Sequence, residues 1–150
     1  MSDTDLKPSD RQTVSDVVPA KIAVVLLTDL ENWQKLNVTA FTISGVASQE
    51  GAVGEDYHDA SGNRYLPMFQ EPVLVFGASP QEMSRTAERA RSRGATCSVF
   101  TRDLFNTFND SDNRAAVAAV PADRLDIVGL AFRCDRKSAD RILKGLKLLR

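Results

Sequence analysis

The run Lys21-Ile22-Ala23-Val24-Val25-Leu26-Leu27-Thr28-Asp29 decides the fold. Six consecutive apolar residues, Ile22 to Leu27, show no polar alternation and end at a polar pair. Such a run reads as a strand covered on both faces, as in a parallel sheet. A helical pattern follows. Trp33, Leu36, Asn37, Ala40, Phe41 and Ser44 recur at spacings of three and four and make one apolar face, expected to turn toward the core.

Outward from this pair the same alternation recurs. Pro72 to Phe76 is a second strand, turned by Gly77-Ala78. Ser79-Pro80-Gln81-Glu82 then has the grammar of a helix start: Ser at the cap, Pro in the first position, Glu three residues after the cap. Met83, Ala87 and Ala90 mark the inner face of that helix, which stops at Gly94. Thr96 to Phe100 is a third strand, and residues 102–112 are irregular, anchored by Leu104, Phe105 and Phe108. Asn113 to Val120 reads as a short helix stopped by Pro121, and Asp126 to Phe132 as a fourth strand. Asp135 caps a last helix with Ala139, Ile142, Leu143, Leu146 and Leu149 on one face.

Strands alternating with helices predict the α/β class. The expected architecture is three-layer α/β/α around a mostly parallel, mixed, four-stranded sheet. Residues 1–20 are polar and are expected to form a flexible N-terminal tail, with 21–150 as a single domain. Residues 49–71 are polar and glycine-containing and read as a long loop, with a short hairpin around Asp59-Ala60-Ser61-Gly62-Asn63. Ligands of such folds gather beyond the carboxyl ends of the strands. Those ends carry Thr28-Asp29, Gly77-Ser79, Thr101-Asp103 and, as the fourth candidate, Arg133-Asp135.

Composition excludes several classes. The chain has 150 residues, a formal net charge of -1, 43% hydrophobic and 26% charged residues. This is globular composition without the overall basic excess of a dedicated nucleic-acid binder. Arg133 to Arg150 does hold seven basic residues against two acids, so RNA binding would have to rest on that local patch. Cys97 and Cys134 are far apart in apolar segments, which predicts buried reduced thiols rather than a disulfide framework. No run reaches membrane-span length and no signal-peptide layout opens the sequence, so a cytoplasmic location is expected and a membrane partner is not. No cofactor motif is present.

The order of these segments carries a resemblance. Thr28-Asp29-Leu30, strand Val73-Leu74-Val75, the Arg-rich helix to Gly94, Arg102-Asp103-Leu104-Phe105-Asn106-Thr107 and Gly145-Leu146-Lys147-Leu148-Leu149 recur in one order. Over about residues 21–150 the chain resembles the type-two peptidyl-tRNA hydrolase superfamily. It is more closely similar to a bacterial branch, the domain-of-unknown-function family numbered two thousand. The resemblance implies a peptidyl-tRNA hydrolase-like fold and a functional Asp-x-x-x-Thr, which Asp103 and Thr107 match. It also implies a Lys opening the first helix and a Gln a few residues on, where Leu36 or Asn37 and Phe41 stand. Without that cation, little or no conventional peptidyl-tRNA cleavage is expected, because nothing in its place polarises the ester or holds the water.

Candidate residues follow from chemistry and position. Asp103 and Thr107 could position a water, the carboxylate accepting its proton, and are the tentative catalytic pair; the alternative is an Asx turn with a loop hydroxyl. Asp29 either caps the first helix or meets a ligand. Asn37, on the face shared with Trp33, either bonds neighbouring backbone or orients a ligand from a pocket. Ser79 opens a helix whose free N–H groups could hold an anion. His58 lies among acids, but its spacing matches no metal motif, so no metal site is expected. The expected ligand is a small polar or acyl-bearing molecule at the sheet's carboxyl edge. Exposed Phe residues pairing with a second copy, as a homodimer, is the alternative.

Overall fold

The computed structural model describes residues 19–150. The expectation of a loose tail falls outside the described residues for 1–18, and Ala20 already belongs to the first strand. The strands are β1 (Ala20–Leu27), β2 (Tyr57–His58), β3 (Arg64–Tyr65), β4 (Val73–Ala78), β5 (Ser98–Thr101), β6 (Ile127–Asp135) and β7 (Lys147–Leu148). The helices are α1 (Asn32–Ala47), α2 (Pro80–Ser92), α3 (Asp110–Ala118) and α4 (Arg136–Ile142), with 3-10 turns at Arg102–Asn106 and Ala122–Arg124.

The main sheet has the order β5-β6-β1-β4-β7, so β1 is its centre. Ile22 to Leu27 are all essentially inaccessible, as a strand covered on both faces must be. Helix α1 packs on one face and α2 and α4 on the other, giving three layers. The sheet is mixed. β1 and β4 pair in parallel, while β6 runs antiparallel to both β1 and β5, and β7 antiparallel to β4.

Two expectations need correction. The sheet has five strands, not four. Helix α4 ends at Ile142, and Gly145 adopts φ +89°, a left-handed conformation that glycine enters without steric cost. The chain then turns back, and Lys147–Leu148 pairs with Gly77 and Phe76 instead of prolonging the helix. The second correction concerns Arg133-Asp135. Because β6 is antiparallel to β1, with Cys134 opposite Lys21, this segment lies at the amino edge, away from the other three strand ends.

Local grammar explains α2. Ser79 Oγ accepts from the Glu82 N–H at 3.2 Å, and the Ser79 N–H donates to Glu82 Oε1 at 3.0 Å, closing a reciprocal capping box. Those hydrogen bonds, helped by Arg85 and Lys147, hold the Glu82 carboxyl below its ordinary range.

Residues 49–71 form a hairpin arm. β2 pairs β3, Val53 bridges Phe69, and the Asp59 carboxylate ties the tip through Ser61, Asn63 and Tyr65. The arm leaves from the end of α1 and returns into the start of β4. It therefore springs from the amino edge of the sheet.

Candidate functional site

Helix α1 does not sit as its aromatic stripe predicts. Its buried residues are Val38, Thr42 and Val46. The residues expected inside stand out: Trp33 is 57% exposed, Leu36 73% and Phe41 54%. Gly129 on β6 explains the choice. A Cβ there would lie 2.3 Å from Val38 Cγ1, so the bare glycine lets the helix approach through Val38. A position one residue along is about 100° round the helix, which turns Asn37 outward.

The outward stripe is one wall of a groove. Residues 104–113, just beyond the carboxyl end of β5, form the other wall. The groove has a volume of about 480 Å³ and takes in Trp33, Asn37, Phe41, Phe100, Phe105 and Thr107. Its aromatic rings are interlocked. Trp33 meets Phe105 edge-on at 5.8 Å between centroids, Phe41 meets Phe100 at 6.0 Å, and Phe100 meets Phe105 at 4.9 Å. Phe100 is the buried floor, and Phe108 stands almost fully exposed at the rim.

The polar groups differ in what they have left to offer. Thr107 Oγ donates to the Leu104 carbonyl at 3.0 Å and also lies in hydrogen-bond contact with the Asn113 amide. A hydroxyl has one proton, so the pair is satisfied when Asn113 presents its NH₂ to Oγ. Asn109 is occupied as the cap of α3, accepting from the Asp112 N–H at 2.8 Å. The indole N–H of Trp33 donates to Glu31 at 2.6 Å. Asn37 has no side-chain hydrogen bond among the described residues. Its amide is the uncommitted polar group of the groove.

The other candidates lie outside this groove. Asp29 is exposed and does not cap α1; Glu31 holds that position, its N–H donating to Gln34 Oε1 at 3.0 Å. Asp103 sits exposed on the 3-10 turn and is not part of the groove lining, so it and Thr107 are not brought to one surface there. Ser79 has its hydroxyl engaged in the α2 cap. Lys35 projects to the other side of α1 and lines a separate recess. His58 is on the exposed hairpin, and no cluster of metal-ligating side chains occurs among the described residues. Cys97 and Cys134 are half-buried and unpaired with each other, and burial pushes the Cys97 thiol up to about 11.

A family model described as a protein of unknown function, DUF2000, matches residues 20–150. The chain belongs to the DUF2000 family. A solved structure of a protein of unknown function from Agrobacterium tumefaciens is similar to this DUF2000 chain at 40% identity and a TM-score of 0.84, covering 87% of this chain and 98% of that one. No curated protein matches it.

The basic residues of 133–150 do not form one patch on the DUF2000 fold. Arg133 is paired with Glu71 at 2.6 Å toward the amino edge, whereas Lys147 lies beside Gly77 at the carboxyl edge. No helix among the described residues is long and apolar enough to cross a membrane.

Proposed function

We propose that this protein binds a small ligand carrying an acyl or aromatic group in the groove between α1 and residues 104–113. The observation that carries the reading is the Asn37 amide, without a hydrogen-bond partner among the described residues and set in a groove lined by five aromatic side chains. A ring or acyl chain against Trp33, Phe41 and Phe105 gains apolar burial. An ester or amide on the same ligand can pair with Asn37, whose amide both donates and accepts. This keeps the acyl-bearing part of the expected small polar or acyl-bearing ligand and adds an aromatic group, with Trp33, Asn37 and Thr107 in the contact surface and Asp29, Asp103 and Ser79 outside it.

A type-two peptidyl-tRNA hydrolase-like activity is the alternative use of the same groove. It would place an acyl ester against the aromatic wall. Two features weigh against it. Asp110 is the one charged side chain of the groove lining. Lys35, two residues from Asn37, is about 200° round the helix and cannot serve as the cation there.

One probe tests both readings. Trp33 is the only tryptophan of the chain, so its emission reports directly on the groove. Titration with N-acetyl-phenylalanine methyl ester should shift that emission saturably, with the ester left intact. Asn37→Ala should weaken binding by about three- to tenfold, the worth of one neutral hydrogen bond. A folded protein whose emission never saturates, or whose affinity ignores Asn37, would sink the proposal. Ester cleavage abolished by Asp103→Asn would move the assignment to the hydrolase. A concentration-dependent sedimentation coefficient removed by Phe108→Ser would give the rim to a second copy instead.

A further inference from the structure

Across α1 from the groove lies a recess of about 440 Å³ at the same sheet edge. The end of β1 supplies Thr28, α1 supplies Lys35, β4 supplies Gly77, β7 supplies Lys147, and Arg150 follows β7 into the same lining. Neither Lys35 nor Lys147 has a carboxylate within ion-pair distance among the described residues. Thr28 is exposed, and its hydroxyl likewise has no hydrogen bond among them. Glu82 is the one acidic side chain lining the recess, and its Oε1 is occupied by the Ser79 N–H. Gly77 keeps the space clear. A Cβ at that position would stand 2.7 Å from Thr28 Cγ2 and 3.3 Å from Leu149 Cδ1.

We infer that this recess binds a small phosphate-bearing anion through Lys35, Lys147 and the Thr28 hydroxyl. Two ammonium groups from different elements face one concavity in which Glu82 is the one carboxylate side chain, so positive charge stays in excess. A compact dianion balances both. Lysine acts here as a point charge with three rotatable donors, and the guanidinium of Arg150, which also lines the recess, matches phosphate oxygens. The ligand is small because the cations sit in a recess, and Arg133, Arg136 and Lys137 lie toward the opposite edge of the sheet instead of extending them into a backbone-tracking stripe. The inference does not rest on the groove reading: Lys35 and Asn37 occupy opposite sides of α1.

The test is a ³¹P NMR titration of the full chain with glycerol phosphate and, separately, with inorganic phosphate, using succinate as a competitor. Saturable binding of a phosphate form, displaced poorly by succinate and weakened by added salt, is expected. Tighter glycerol phosphate identifies an organic phosphate ester as the ligand class, and tighter inorganic phosphate identifies the free ion. Lys35→Gln and Lys147→Gln should each weaken binding by about tenfold, as loss of a charged contact does. Both side chains lie at the surface of the recess, so an unchanged melting temperature is expected in each variant. Lys137→Gln, at the far edge of the sheet, should bind as the parent does. No saturation at millimolar ligand, equal displacement by succinate, or equal loss in Lys137→Gln would overturn the inference.

Discussion

Two apolar stripes run along helix α1, and they have opposite fates. Val38, Thr42 and Val46 are sealed against the sheet, while Trp33, Phe41 and Leu36 border open space. The larger and more hydrophobic residues are on the exposed side. Burial here was decided by fit, not by hydrophobicity: Gly129 offers a hole that a valine fills and an aromatic ring cannot enter. An apolar period therefore shows that a helix face has a partner. It does not show whether that partner is the protein's own core.

The sharpest way to break this comparison is to fill the hole. Gly129→Val should cost about 3 kcal/mol, at the upper end of ordinary overpacking, because its Cβ meets Cγ1 of the stiff, β-branched Val38 and stands close to Leu26 and the Val25 carbonyl. Urea denaturation would show it as a lower midpoint at unchanged slope. A loss below about 0.5 kcal/mol, the level of a surface change, would mean that α1 is not seated through Val38. Truncation on the two stripes should then differ. Val38→Ala removes two buried methyl equivalents and should cost about 2 kcal/mol. Leu36→Ala, two residues away, should stay within about 0.5 kcal/mol. Equal losses would erase the distinction between the stripes. Asn113→Ala sharpens the groove side. It strips Thr107 of one partner and should cost about 1 kcal/mol. Because it leaves the Asn37 amide in place, ester binding should fall less than in Asn37→Ala.

What was legible in the sequence was what is decided locally. Ile22 to Leu27 announces a central strand because the run is short, rich in β-branched residues and without polar alternation, and Ser79-Pro80-Gln81-Glu82 fixes the start of α2 by its own hydrogen bonds. The sites of failure involve distant partners. The leucine spacing after Asp135 suggested one helix through Leu149, although Gly145 is where the chain turns; the strand partner that rewards the turn, β4, is some seventy residues earlier. The direction of β6 was equally hidden. The connection from β5 is long enough for a parallel crossover, but α3 packs on the 3-10 turn rather than across the sheet. In the groove, Trp33, Asn37 and Thr107 were singled out for other reasons, and the aromatic box was missed. Its trace was present: Phe41, Phe100, Phe105 and Phe108 are four of the seven phenylalanines and cluster in two short stretches.

The hairpin from Tyr57 to Tyr65 bounds the comparison from below, since every residue in it is exposed. With no core stripe at all, its order depends on polar contacts at the tip. Asp59 is the hub. Its carboxylate accepts from the Asn63 side chain at 2.9 Å, from Tyr65 Oη at 2.8 Å, and from the Asn63 and Ser61 N–H groups at 3.0 and 2.9 Å. These bonds, led by the Asn63 side chain, lower its carboxyl from 3.8 to about 2. A depressed value means the ionised form favours the folded tip. That contribution is therefore present above the ordinary carboxylate value and is lost as pH falls through about 2. NMR amide shifts of Ser61 and Asn63 should hold steady from neutral pH to near 4 and then move together toward coil values, while core amides such as Val24 stay put over the first part of that fall. Asp59→Asn should remove the pH dependence and leave global stability nearly unchanged, because the tip has no buried surface to lose. A hairpin that stayed ordered in Asp59→Asn with an identical acid profile would show that its backbone pairs suffice without the carboxylate.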